Sequence, residues 1–223
     1  MPVEWQEDWR RLQSLPSLRN STTFSPPSSR MMERLHDRYE LTPEYEELLT
    51  LGYPTKPLRL HRMTFFPSLE KMLPHDHGEK ASLANNYHYF GTDSWSWPAQ
   101  WIPLTTLINH EIYFLRADKG DKIYRTWTDS SWDTDGALLP EQAIYASLGV
   151  FVHTLALNFE LLGRNSLTVK KEGWFLFKSE KTVFSDVAVR KLRAHHQAPK
   201  QGSPILPCFS SYAGEYDDLA MPP

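Results

Sequence analysis

The fold class is decided by residues 112–127, which read Ile-Tyr-Phe-Leu-Arg-Ala-Asp-Lys-Gly-Asp-Lys-Ile-Tyr-Arg-Thr-Trp. Two runs rich in β-branched and aromatic residues, 112–116 and 122–127, flank the polar stretch Ala-Asp-Lys-Gly-Asp at 117–121. Such runs, joined by a few residues that include a glycine, predict a β-hairpin. We therefore expect an antiparallel hairpin in the middle of the chain.

Helix signals lie on both sides of this hairpin. Upstream, Thr42 can cap a helix, Pro43 suits its first position and Gly52 can end it. Downstream, apolar residues at spacings of three and four predict the longest helix, from about Glu141 to Leu162. Local hairpins and well-delimited helices together predict an α+β domain, in which helices pack on one face of a twisted, mostly antiparallel sheet.

Both ends of the chain are rich in proline and serine, residues that interrupt helices and bury little apolar surface. We therefore expect three segments: an N-terminal helix and Pro/Ser-rich linker at 1–30, the α+β domain at 31–178, and a short helix with an extended tail at 179–223. Trp5 and Trp9 need a buried environment, so we expect the N-terminal helix to dock on the main body.

The composition and the net charge argue against several classes of function. The chain has 223 residues with 24 Lys or Arg against 27 Asp or Glu, and this net charge of −3 argues against nucleic-acid binding. The single cysteine, Cys208, excludes an intramolecular disulfide and a multi-cysteine zinc site. No apolar run approaches the ~20 residues of a membrane span, and the N-terminus lacks a signal-peptide pattern. We expect a cytoplasmic protein without a cofactor or a membrane partner.

A group of tryptophans is the first candidate binding surface. Trp95, Trp97 and Trp101 lie close together in sequence, with Pro98 favouring an extended backbone. Aromatic rings at such an edge can form a patch for a partner protein. The alternative is that they fill the core beneath the sheet, as large aromatic residues usually do.

An acidic loop is the second candidate. Asp129, Asp133 and Asp135 precede Gly136, but the first and twelfth positions of a calcium loop would fall on Ser131 and Gln142, which supply no carboxylate. We therefore expect no metal site in this loop. Its charge would instead attract a basic partner and speed encounter.

Catalytic signals are weak. The pair of histidines around Asp76 lacks a third metal ligand, Cys208 has no neighbouring base, and His195-His196 fits an exposed helix. The sequence contains no glycine-rich phosphate loop and no G-x-S-x-G motif. A dispersed active site remains open, and its base would be one of five histidines: His61, His75, His88, His110 or His153.

The order of these elements resembles the SUKH superfamily, a group of α+β proteins that includes fungal cell-wall-synthesis regulators and bacterial toxin-immunity proteins. The resemblance covers about residues 31–162. The matching residues are Leu35, Tyr39, Leu41, Pro43-Glu44-Tyr45, Leu48-Leu49, Gly52, Trp101-Ile102-Pro103-Leu104, the hairpin at 112–115 and 123–127, and Ser147-Leu148, Phe151-Val152 and Leu155.

The resemblance implies protein binding rather than catalysis. On this basis we expect an immunity-type protein that neutralises a cognate toxin by occluding its site. A regulatory scaffold, which would bind a signalling protein through the Pro/Ser-rich ends, is the alternative, and an enzyme with a dispersed site is the second alternative.

Overall fold

The computed structural model describes residues 4–61, 63–73, 99–105, 111–127, 143–162, 166–172, 179–197 and 199–206. Helices and small antiparallel sheets alternate along the described chain, which confirms the α+β class. Every strand pairing in these residues is antiparallel, and the strands form separate two- and three-stranded sheets. No described helix is both long enough and apolar enough to cross a membrane.

The chain forms two compact units. The terminal unit comprises Met1–Leu12 and Gly149–Pro223, and the central unit comprises Gln13–Leu148. The elements of the central unit are α2 (Pro16–Arg19), β1 (Phe24–Ser25), α3 (Ser29–Arg38), α4 (Pro43–Leu51), β2 (Tyr53–Pro54), β3 (Leu58–Leu60), β4 (Met63–Phe65), α5 (Leu69–Met72), β5 (Trp101–Pro103), β6 (Glu111–Arg116) and β7 (Lys122–Trp127).

The predicted hairpin is confirmed as β6 and β7. Their register runs from Glu111 opposite Trp127 to Arg116 opposite Lys122. The turn contains a short 3₁₀ segment, Ala117–Lys119, followed by Gly120 in the left-handed conformation with φ of 68°. Strand β5 pairs antiparallel with the other edge of β6 and completes a three-stranded sheet.

The predicted start of α4 is confirmed. The Thr42 hydroxyl accepts a hydrogen bond from the backbone N–H of Tyr45 at 3.3 Å, and Pro43 occupies the first turn. Gly52 follows the helix with φ of 112°, a value that side chains rarely tolerate. The imperfect alternation of residues 58–66 predicts a single strand. The structure instead has a tight hairpin of β3 and β4, and His61 takes a positive φ of 53° in the turn between them.

The terminal unit contains most of α1 (Trp5–Ser14) together with α6 (Leu148–Leu161), β8 (Leu167–Glu172), β9 (Ser179–Phe184) and α7 (Asp186–His195). Trp9 and Leu12 are fully buried, as expected for a docked N-terminal helix. From Leu148 to Phe159 nearly every residue of α6 is buried, as in a helix surrounded by other elements. The sequence also predicts a strand at 173–178, and these residues, between β8 and β9, lie outside the described part of the chain.

Helix α6 begins later than predicted. The apolar stripe places its start near Glu141, but residues 143–147 are not helical. The backbone of Ile144 donates to the carbonyl of Ile123 at 2.7 Å, and Tyr145 forms an antiparallel bridge with the same residue. The extended pairing with β7 therefore replaces the first turns of the predicted helix.

Candidate functional sites: a buried histidine cluster and an acidic pair

Only Trp101 of the six predicted partner-binding residues lies in the described chain; Trp95, Trp97, Asp129, Asp133 and Asp135 lie outside it. Trp101 is in β5, where it is 6% exposed and stacks on Phe114 with ring centroids 4.6 Å apart. The Arg116 guanidinium lies 5.6 Å from the Trp101 ring and 5.4 Å from the Tyr124 ring. Neighbours within its own sheet therefore cover Trp101. Its role in partner binding stays a prediction.

Arg116 is held in place by Asp118, which comes from the hairpin turn. The Arg116 Nε donates to Asp118 Oδ1 at 2.9 Å, and the terminal nitrogen Nη2 donates to the second carboxylate oxygen. This bidentate contact lowers the pKa of Asp118 and raises that of Arg116. The pair keeps the guanidinium beside the aromatic rings and thereby supports the sheet.

A cluster of polar side chains is buried in the terminal unit. Asp8 comes from α1, His153 and Thr154 from α6, and His196 from the residue after α7. Asp8 Oδ2 lies 2.6 Å from His153 Nδ1, and the two imidazole rings are 5.4 Å apart. Their burial makes each hydrogen bond in the cluster consequential, because an unpaired polar atom in the interior costs about 1–3 kcal/mol.

The hydrogen bonds assign a tautomer to each imidazole. Thr154 Oγ1 donates to the Val150 carbonyl at 2.8 Å, so its 2.9 Å contact with His196 requires an N–H on Nε2 of that ring. His153 Nε2 accepts the backbone N–H of Gln197 at 3.2 Å, which leaves Nδ1 to donate to Asp8. Both rings are therefore neutral in this network.

Burial, followed by the neighbouring His153, lowers the pKa of His196 to about 4. Its Nδ1 atom is buried without a hydrogen-bond partner. Acidification would place a proton there, and the resulting cation would be poorly solvated. The exposed helix expected for the two adjacent histidines holds for His195 only; His196 is 6% exposed because it turns into the unit behind α7.

Helix α6 also holds the segment that follows helix α7. The Asn158 side-chain nitrogen donates to the Pro204 carbonyl at 2.9 Å, and its oxygen accepts the N–H of Leu206 at 3.4 Å. With the bond from Gln197 to His153, these contacts attach Gln197, Pro204 and Leu206 to α6. The cluster thus connects α1, α6 and the segment after α7.

An aspartate that orients a histidine is also a feature of hydrolytic active sites. In this cluster, however, the His153 Nε2 lone pair is occupied by the N–H of Gln197, and His153 is 1% exposed. As folded, it has no free lone pair to accept a proton from a substrate. Of the other four candidate bases, His61 lies in the turn between β3 and β4, and His75, His88 and His110 lie outside the described residues.

Two carboxyl groups approach each other in the central unit. Glu44 is in the first turn of α4, and Asp121 follows Gly120 in the hairpin turn with φ of 59°. Burial and then the charge of Asp121 raise the pKa of Glu44. Burial also raises the pKa of Asp121, which a hydrogen bond from Thr42 partly offsets. Among the described residues, neither carboxylate has a salt-bridge partner, and Glu44 Oε2 is buried without a hydrogen bond. We call Glu44 and Asp121 the acidic pair.

Nothing in the sequence alone indicates the acidic pair. Glu44 fits the favourable charge at a helix start, and Asp121 fits a hairpin turn, so each has an adequate local explanation. Only the packing of α4 beside the turn brings them together. Among the described residues, no group of three or more His, Cys, Asp or Glu is arranged to hold a metal ion.

Comparison of the chain with protein-family models, curated proteins and solved structures gives no match.

Proposed function

We propose that this protein is a non-catalytic protein-binding domain of the immunity type, which neutralises a basic cognate toxin by occluding its site. The observation that carries the proposal is the acidic pair, whose carboxylates are half-buried and form no salt bridge among the described residues. The SUKH-like order of elements supports the same class of function.

The acidic pair destabilises the protein when no partner is bound. Each carboxylate loses solvation, which raises its pKa, and the charge of Asp121 raises the pKa of Glu44 further. A lysine or arginine of a partner placed between them would gain charge-assisted hydrogen bonds and remove this repulsion. Such an arrangement favours binding of a basic protein over stability of the free protein.

The test is co-expression of the protein with the product of the adjacent gene, with host growth as the readout. We expect the wild type to restore growth, and Glu44→Lys/Asp121→Lys to fail because the pair then repels a basic partner. Glu33→Lys, which reverses an exposed carboxylate on α3, is the matched control and should restore growth. Absence of toxicity in the neighbouring product, or full rescue by the double variant, would refute the proposal.

The alternative is a regulatory scaffold that binds a signalling protein through its extended ends. The observation in its favour is that Pro26 is exposed between β1 and α3. Deleting everything before Ser29 would not test this, because the deletion removes the buried Trp9 and Leu12. Pro26→Ala/Pro27→Ala leaves those residues in place. Loss of signalling-partner binding in this variant would support the scaffold, and unchanged binding would count against it.

The second alternative, a dispersed enzyme site, is favoured by the convergence of Asp8 with two histidines. It requires that Gln197 leave His153 Nε2 before a substrate proton can be accepted. An enzyme of this type should lose turnover in His153→Gln while substrate binding persists. Unchanged turnover in that variant would exclude His153 as the base.

A further inference from the structure

The hydrogen bond between His153 and Gln197 depends on the protonation of the histidine. His153 Nε2 accepts the backbone N–H of Gln197 at 3.2 Å, which requires a neutral ring with its lone pair on Nε2. A proton on Nε2 would turn this acceptor into a donor, and two N–H groups would then face each other. The hydrogen bond that attaches Gln197 to α6 therefore exists only while His153 is neutral.

The other ring nitrogen of His153 responds to a proton in the opposite way. Nδ1 donates to Asp8 Oδ2 at 2.6 Å, and Oδ1 of the same carboxylate lies 2.9 Å from Nη2 of Arg11. Arg11 Nε is in turn 3.6 Å from Glu160 of α6. Two carboxylates and one guanidinium give this group a net charge of −1, which one proton on His153 would neutralise. Protonation thus strengthens the contact of His153 with α1 and breaks the one with Gln197.

His196, the residue before Gln197, is a second proton acceptor. Its Nδ1 is buried without a hydrogen-bond partner, and its ring centroid lies 5.4 Å from that of His153. A proton on Nδ1 would place a poorly solvated cation beside a charged His153. Moving His196 outward into water would remove this cost, and it would carry the Gln197 N–H away from His153. Both protonation events therefore favour the same displacement of residues 196–197.

The surroundings allow residues 196–197 to move while the following attachment to α6 persists. Gln197 is exposed, and so are Pro199 and Lys200. The next attachment is made by Asn158, whose amide binds Pro204 and Leu206 and does not titrate. The charged side chains of α7 are exposed, apart from the half-buried Arg193; they are Asp186, Arg190, Lys191, Arg193 and His195. Exposed charges are screened by water and salt, whereas the carboxylate of Asp8 binds His153 directly.

We propose that residues 196–197 form a proton-operated gate over Nε2 of His153. The gate is closed while both imidazole rings are neutral, and it opens as the pH falls through the range in which histidine binds a proton. In the open state His153 Nε2 faces solvent, and Asp8 still orients the ring. The gate is built from residues of the terminal unit and does not depend on the proposed function of the acidic pair.

The test is hydrogen exchange of single amides in the full-length protein, followed by NMR between about pH 7.5 and about pH 5.5 and corrected for intrinsic exchange. The N–H of Gln197 reports the gate. The N–H of Leu206, which Asn158 holds at 3.4 Å, reports opening of the terminal unit without the gate. One proton taken up on opening raises the open fraction up to tenfold for each pH unit below the ordinary histidine pKa of about 6.5. We therefore expect Gln197 to lose about tenfold more protection than Leu206 over this range.

Three variants assign the effect to His153. His153→Gln keeps an acceptor for the Gln197 N–H and a donor for Asp8 but does not titrate, so the additional loss of protection at Gln197 should disappear. His195→Gln, which removes the exposed neighbouring histidine, is the matched control and should behave as the wild type. Asp8→Asn still accepts from His153 but no longer stabilises its cation, so the additional loss should begin at lower pH.

Equal changes of protection at Gln197 and Leu206 would overturn the proposal, because the terminal unit would then open as a whole. A pH dependence at Gln197 that persists in His153→Gln would overturn it as well. The NMR signals of the His153 ring nitrogens provide a second measurement, which needs only the wild-type protein. They should titrate together with the protection of Gln197, and titration of the ring without a change at Gln197 would exclude the gate.

Discussion

Acidification should selectively destabilise the terminal unit through His196. Its pKa is about 4 in the folded protein and 6.5 in the unfolded chain. Between these values the unfolded chain binds more protons, so stability is complete above pH 6.5 and falls as the pH decreases toward 4. A difference of roughly 2.5 units at 1.36 kcal/mol each sets an upper bound of about 3 kcal/mol on the loss.

Two variants isolate the contribution of His196 to the pH dependence of stability. His196→Gln keeps a side-chain N–H that can donate to Thr154 but does not titrate, so its stability should fall less between pH 6.5 and 4. His195→Gln removes the exposed neighbouring histidine and should follow the wild type. Hydrogen exchange of the α6 amides, measured at several pH values, reports the opening free energy of the terminal unit.

The result that would refute this reasoning is the same pH dependence in the wild type and in His196→Gln. In that case the buried imidazole would titrate at its ordinary value, and the tautomer assigned from Thr154 would be wrong. If the pH dependence of stability is lost in His195→Gln instead, the titrating group is the exposed imidazole of His195.

Three further predictions concern stability measured by urea unfolding. Gly149→Ala should lower the free energy of unfolding by about 1–3 kcal/mol, because the added Cβ would lie 2.9 Å from Cδ1 of Trp5. Adding Trp5→Leu to this variant should recover most of the loss. Glu44→Gln should stabilise the central unit at pH 7 by up to about 1 kcal/mol, because it removes the repulsion with Asp121. This gain in stability should vanish as the pH falls below the raised pKa of Glu44. A gain that does not change with pH would contradict the prediction. Asp8→Ala should cost about 1–3 kcal/mol, because it leaves the His153 N–H unpaired in the interior, and Asp8→Asn should cost much less, since asparagine keeps an acceptor for this N–H; equal losses would show that the charge of Asp8 dominates.

Local signals predicted the elements that depend on a few neighbouring residues. The hairpin of β6 and β7 follows from two β-rich runs and a glycine-containing turn, and α4 follows from Thr42, Pro43 and Gly52. The start of α6 was mispredicted because Ile144 fits the helical spacing as well as it fits a bridge. Its actual conformation depends on pairing with Ile123, which sequence spacing does not encode.

The candidate sites depend on contacts between distant parts of the chain. Asp8 and His153 are 145 positions apart, and neither has a local feature that indicates the other. The acidic pair joins a helix start to a hairpin turn in the same way.

The most direct test of the proposed function is the affinity between this protein and the purified product of the adjacent gene, measured by titration calorimetry at pH 7. We predict a one-to-one complex that Glu44→Lys/Asp121→Lys weakens by about 30-fold or more, because opposing a buried charge in an interface costs about 2–5 kcal/mol. Glu33→Lys should bind as tightly as the wild type. Absence of a complex, or equal affinity in the wild type and the double variant, would contradict the assignment of the acidic pair as the partner-binding site.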